Sequence, residues 1–281
     1  MKRRKSVRRL MRFGLSYLVL VVVTLLVSLP ILWLVITSLK KEIEYLSYPI
    51  KILPRSPQWG NYVKAVMLVP FGKYADRSFL LGVTFTTLAV CTSAMSGFGF
   101  ARLEAPGKDR LFMVVIALLI VPGIVMTIPQ FIVFSRLGLT DTYWPWVLWG
   151  LAASPFHIFM FRQFFTTIPR ELEDAAEVDG CGMQRLFWQI FMPNSKPVIA
   201  TSAIFNFSWV WGDYFTPLIY LSDAKTTLAV KLSTAYLDPK GNPLITTTLA
   251  ACVIYCLPLV ALFFLGQRHI LRGVVTTGLK G

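Results

Sequence analysis

The stretch PRELEDAAEVDGCGMQRLFWQIFMPNSKP, residues 169–197, is a polar, acidic island between two long apolar segments of a mostly apolar chain. Pro169 suits a first helical position, where its missing N–H costs nothing. Glu171, Glu173 and Asp174 crowd the first turns of that helix, where its dipole favours anions. Gly180 is placed to end the helix in a left-handed cap. Gly182 then opens a second, amphipathic helix in which Leu186, Phe187 and Ile190 recur at helical spacing, and Pro193 is expected to stop it. The local reading is helix, glycine elbow, helix. On physical grounds alone the segment stands equally as a solvated surface loop or as a docking element for a partner in water.

Outward from this island the chain becomes apolar. Mean hydropathy is +0.61, 55% of the 281 residues are hydrophobic and only 15% are charged, which is too apolar for a soluble domain of this length. Apolar runs at 13–39, 78–101, 111–134, 143–161, 198–221 and 244–265 each approach or exceed the ~20 residues a helix needs to span a bilayer. The fold class expected is an all-α polytopic membrane protein with six transmembrane helices. The first run is too long for a signal-peptide core and has no convincing cleavage site, so it reads as an uncleaved span kinked at Pro30. Residues 40–77, with four prolines, form the long first loop. Prolines 122, 129, 155, 217 and 258 inside the other runs imply packed, bent helices.

The formal charge of +14 is concentrated in the basic segment 1–12 and in short loops, a membrane-topology pattern rather than a nucleic-acid surface. With residues 1–12 inside, the inner segments hold seventeen Lys and Arg and the outer loops eleven, seven of these in the one long loop. That bias puts both the basic start and residues 266–281 in the cytoplasm, and the 169–197 island with them.

The island's residues also carry a likeness. DAAEVDGCGMQRLFWQIFMP resembles the EAA loop of binding-protein-dependent ATP-binding-cassette import permeases. The acid-Ala-Ala falls on Asp174, Ala175 and Ala176, the Asp-Gly pair on Asp179 and Gly180, and the closing positions on Ile190 and Pro193. The pattern departs in having Asp174 where Glu is usual and Cys181 where a smaller residue such as Ala is usual. SLKKEIE, GFGFARLEAPGKDRLF, LGLTDTYWPWVL, FRQFFTTIPRELEDAA and RHILRGVVTTGLKG are similar, in order and spacing, to the sugar (maltose-type) subgroup, in its six-helix partner of a heteromeric pair. The resemblance implies a type I importer permease fold, with Glu171, Asp174, Ala175, Ala176, Asp179, Gly180, Cys181 and Gly182 as a coupling helix that docks on an ATPase. It implies four kinds of neighbour: a second homologous permease, two ATPase subunits, an extracytoplasmic solute-binding protein and the lipid bilayer. ATP and magnesium then belong to the ATPase, with no cofactor on this chain.

The residues are consistent with a mechanical role. Gly107-Lys108-Asp109 lacks both the upstream glycine spacing and the following Ser or Thr of a phosphate-binding loop, so the chain is not expected to be its own ATPase. Cys91, Cys181, Cys252 and Cys256 have no zinc-site spacing and read as buried small hydrophobes, and two isolated histidines make no metal centre. His157 reads as a packed, hydrogen-bonded helix residue, while Arg102 and Arg162 read as helix-end anchors at the inner interface.

For a translocation path the candidates are Asn206, Trp211, Asp213 and Tyr214. Asp213 is the one acid well inside an apolar run, standing either as a functional group or as an interfacial acid. Aromatic and amide side chains suit sugars, and they also collect at membrane interfaces. The rival reading is an ion- or proton-coupled carrier centred on Asp213. A membrane-embedded enzyme finds no nucleophile–base pair here.

Overall fold

The computed structural model describes residues 2–278, with side chains from 13 to 267. Among them there are helices and one isolated bridge, Leu237 to Pro243, and no strand. In chain order the helices are α1 (Lys2–Ser38), α2 (Glu42–Tyr45), α3 (Gly60–Met67), α4 (Phe71–Arg102), α5 (Lys108–Leu118), α6 (Gly123–Arg136), α7 (Trp144–Leu151) and α8 (Pro155–Phe165). There follow α9 (Glu171–Val178), α10 (Met183–Leu186), a π-helical turn (Phe187–Phe191), α11 (Met192–Asn194), α12 (Lys196–Gly212), α13 (Phe215–Tyr220), α14 (Leu228–Thr234) and α15 (Ile245–Gly278). They form two compact units, Met1–Pro70 with Leu232–Cys256, and Phe71–Lys231 with Leu257–Gly281.

In the first unit a knot of polar contacts ties chain segments that are far apart in sequence. Buried Asn61 donates from Nδ2 to the carbonyls of Ser38 and Lys40, both at 2.8 Å, and so satisfies the orphan acceptors at the end of α1. One carboxylate oxygen of Glu42 accepts from the Thr246 N–H (2.8 Å), the Thr246 hydroxyl (2.7 Å) and the Thr247 N–H (3.4 Å), which caps α15 from a distance. The Tyr236 hydroxyl donates to the Ala65 carbonyl at 2.7 Å. Phe13 to Trp33, by contrast, present exposed Leu, Val and Ile all round α1, the surface that lipid accepts at no cost.

The second unit is built around α4, which packs against α7, α8 and α12. Two glycines allow these close crossings. A Cβ on Gly97 would lie 2.6 Å from Phe161 Cβ, and one on Gly150 would lie 2.9 Å from Leu88 Cβ. Midway along α4, Leu81, Phe85 and Ala89 pack with Phe134, fully buried Trp146, Val210 and Tyr220; the rings of Trp146, Trp149, Phe134 and Tyr220 meet edge to face at 5.3–6.1 Å.

Several expected boundaries change. α4 begins at Phe71, not 78, because Lys73, Asp76 and Arg77 fall on the helix surface opposite buried Phe71, Tyr74 and Ser78, so the charges hide the helix from a hydropathy scan. Among the described residues three helices are long and apolar enough to cross a membrane: Phe13–Ser38, Phe71–Arg102 and Ile245–Gln267. The run at 111–134 is two helices, α5 and α6, bent by 99° about Pro122. The run at 143–161 breaks at Ala153 (φ +57) and restarts at Pro155, whose ring disfavours helix in the residue before it. The run at 198–221 breaks between Gly212 and Phe215. Of the cysteines, Cys91, Cys181 and Cys252 are half-buried and Cys256 is exposed, against the expectation that all are buried. The basic side chains of 2–12 and of 268–280 lie outside the described side chains.

Candidate functional site

The 169–197 island folds as helix, elbow, helix. Glu171, Glu173 and Asp174 occupy the first turn of α9, and Asp179 follows as its C-cap. Gly180 takes φ +75°, a left-handed conformation that a side chain would strain, and the Cys181 N–H reaches back to the Ala176 carbonyl at 2.8 Å. Gly182 is the N-cap of α10. Pro193 does not stop the second helix. The wide π turn over Phe187–Phe191 lies just before it and makes room for a ring that an α-helical turn would clash with, and the break comes two residues later at Ser195.

The island has two faces. Inward, Ala176, Leu186, Phe187 and Phe191 are buried with Val90, Ala94 and Phe98 of α4, with Phe161 and Phe165 of α8, and with Ile168. The Phe98 ring sits 4.8 Å from that of Phe191 and 5.3 Å from that of Phe187. Outward, Glu171, Asp174, Ala175, Asp179 and Gly182 are exposed and Val178 is 88% exposed, while Cys181 is half-buried against the cluster.

Arg102 does what sequence reading missed. It anchors helix ends as expected, but from a buried position, its side chain only 6% exposed. Nη1 lies 2.9 Å from the Glu173 carboxylate, and Nη2 donates to the Phe165 carbonyl at 2.7 Å and to the Ile168 carbonyl. Its guanidinium lies 5.2 Å from the centre of the Phe191 ring. One side chain at the end of α4 thus touches the end of α8, α9 and the π turn. Burial pushes the Glu173 carboxyl above the ordinary range, against the pull of Arg102 and Arg170. No local spacing links the two residues, so only the fold could reveal the pair. A cleft of about 540 Å³ opens beside them, lined by Ala101, Arg102 and residues 166–171. Arg162 lies with its guanidinium 3.9 Å from the centre of the Phe112 ring.

The four path candidates are scattered in role. Asn206 is buried and donates to Ser202, with its Nδ2 3.2 Å from Nε2 of His157, so His157 is a packed, hydrogen-bonded residue. Trp211 is buried with its ring stacked on Phe207 at 5.6 Å. Asp213, at the break before α13, accepts the Thr216 N–H at 3.0 Å as a helix cap. Tyr214 is exposed.

The family model described as "Binding-protein-dependent transport system inner membrane component" matches residues 89–276, which contain the whole island and the helices that hold it. The chain belongs to this family. It is therefore a multi-pass membrane component of a transport system, the permease part. LplC of Bacillus subtilis is 30% identical over 266 residues, covering 90% of this chain and 89% of its own. The diacetylchitobiose uptake system permease protein NgcG of Streptomyces coelicolor is also 30% identical, covering 94% of this chain and 88% of its own. The sn-glycerol-3-phosphate transport system permease protein UgpE of Yersinia enterocolitica is 28% identical and covers 92% and 94%. A chain of a bacterial ABC transporter involved in the import of the acidic polysaccharide alginate shares the fold, with a TM-score of 0.79 over 92% of this permease and 96% of that chain, at 19% identity.

Proposed function

We propose that this permease is one transmembrane subunit of an ATP-driven importer for a sugar, an oligosaccharide or a related glycoside, and that the 169–197 island is its docking element for a separate ATPase. The observation that carries the reading is the island's two-sidedness: its inner face is locked into the bundle by Arg102 and the phenylalanine cluster, while Asp174, Ala175 and Val178 stand free. A rigid lever needs both. On this reading both chain ends and the island are cytoplasmic, as the Lys and Arg bias supports.

The complete importer has a second homologous permease, two ATPase subunits that bind ATP with magnesium, and a solute-binding protein outside. This chain is then not an enzyme; it converts closure of the ATPases into a change of access across the membrane. By linkage, a loaded binding protein that favours the outward-open state must in turn favour ATP binding inside. The relatives named for diacetylchitobiose, glycerol phosphate and alginate support a hydroxyl-rich, carbohydrate-like cargo.

The test is purification from native membrane, with ATP hydrolysis and uptake measured across neutral oligosaccharides, glycosides and uronate oligomers. Co-purification of an ATPase, and loss of ATP-dependent uptake in Asp174→Lys with Gly180→Pro while the membrane part stays folded, support the reading. If the chain emerges alone and uptake follows the proton gradient and Asp213 instead of ATP, the carrier reading replaces it.

A further inference from the structure

We propose that Arg102 is the positioning residue that makes the coupling helix α9 and the ends of α4 and α8 move as one body, so that a pull on α9 is delivered to two membrane helices at once. This rests on the reading of the island as the ATPase dock and adds how the motion leaves it.

The geometry is that of a pin. α9 is only eight residues long, with Gly180 at one end and Pro169 just before the other, so its backbone is a poor strut in both directions. The phenylalanine cluster below it holds by burial of apolar area, which has no preferred direction of its own. Polar contacts in a nearly dry site are different, because parting them leaves charge unpaired, and here they converge on one guanidinium. Nη1 holds the Glu173 carboxylate on α9, and Nη2 holds the carbonyl of Phe165, the last residue of α8, and that of Ile168 just beyond it. The backbone of Arg102 is itself the last residue of α4.

A planar fork can serve these partners on separate nitrogens, whereas a lysine ammonium is one point charge on a flexible stem. The group is nearly closed to water, where such contacts are stronger and rupture leaves a buried charge unpaired. Nε of Arg102 and Oε1 of Glu173 lack aligned hydrogen bonds, so the carboxylate is held by charge at 2.9 Å rather than by a fixed angle. Such a contact tolerates a small tilt of α9 without letting go.

The test uses the purified complex with its ATPase subunits, with the four native cysteines of this chain replaced by alanine. Spin labels go at Glu177, on the flank of α9, and at Met95, an exposed position on α4. Distance distributions are recorded without nucleotide and trapped with ATP and vanadate, for the wild-type pin and for Arg102→Ala, Arg102→Lys and Glu173→Gln.

The pin predicts one narrow distance in both states for wild type. For Arg102→Ala it predicts the wild-type distance without nucleotide and a second, longer population on trapping, as α9 is drawn away without α4. Glu173→Gln shows the same population, because the carboxylate arm is lost while the carbonyl arm stays, and Arg102→Lys falls between. If trapping leaves Arg102→Ala and Glu173→Gln like wild type, the apolar cluster alone carries the pull and the proposal is wrong. It is equally wrong if wild type itself shifts on trapping, or if the variants are broad even without nucleotide, which would make Arg102 a folding residue only. Absence of any ATPase from the wild-type preparation would instead defeat the functional reading on which the pin depends.

Discussion

Replacing Gly97 by alanine isolates the crossing of α4 over α8. The new Cβ would meet Phe161 Cβ at 2.6 Å, the Arg162 nitrogen at 2.9 Å and the Ile158 oxygen at 3.2 Å. All three are backbone atoms or the root of a side chain, so no rotamer change relieves them. Ordinary carbon contacts begin near 3.5 Å, so the helices must part by about 1 Å along a seam that also positions Arg102. Overpacking of this kind costs about 1–3 kcal/mol. Against it stands the gain of roughly 1 kcal/mol from alanine over glycine in a helix interior.

Gly99→Ala supplies the control. It lies on the same helix, shares the same propensity gain, and its Cβ meets nothing nearer than Leu103 Cδ1 at 3.8 Å. The difference between the two variants therefore reads the clash alone, about 1–3 kcal/mol in favour of Gly99→Ala. Thermal unfolding of the detergent-solubilised protein, followed by tryptophan fluorescence, measures it. Coincident midpoints for the two variants would refute the argument that Gly97 is there for close approach.

Two further outcomes are expected. Glu42→Ala removes the distant cap of α15 and costs about 1–2 kcal/mol at that helix start, so amide exchange at Thr246 and Thr247 should quicken roughly tenfold; unchanged exchange would mean the cap contributes nothing. Asp141 joins the loop before α7 to the one after α13. The Ser222 side chain, then the Ser222 N–H and the Lys225 ammonium, hold its carboxyl at about 2, below the ordinary 3.8. A depressed carboxyl stabilises the folded form above pH 3.8 and loses that contribution as pH falls through about 2, so pepsin should nick these loops near pH 2 and spare them near pH 4. Equal cleavage at both pH values would discard that link, and in Asp141→Asn the dependence should vanish.

What could be read in the sequence was what repeats or is local. The apolar runs announce α1, α4 and α15, and acids before Gly180 announce α9 and its elbow, because dipole, cap and hydropathy act within a few residues. What could not be read depends on partners. Lys73, Asp76 and Arg77 suggest a loop until Phe71, Tyr74 and Ser78 are seen buried behind them. Pro193 suggests a stop until a π turn makes room for it. Arg102 looks like any basic residue at a membrane edge, since Glu173, Phe165 and Ile168 reach it only through the fold. Asp213 draws notice as a lone acid in an apolar run, and only the fold shows that one of its carboxylate oxygens accepts the Thr216 N–H.

The cap that Glu42 places on α15 also bears on the order of synthesis. Glu42 leaves the ribosome about two hundred residues before Thr246, so at typical elongation rates it waits for its partner for tens of seconds. During that interval the carboxylate stays hydrated or borrows another donor, and the last long helix, when it arrives, brings the Thr246 and Thr247 N–H groups that Glu42 accepts. Seating of α15 thus reports that both ends of the unit have met. A chain interrupted before Thr246 leaves the Glu42 carboxylate without the three donors that Thr246 and Thr247 supply.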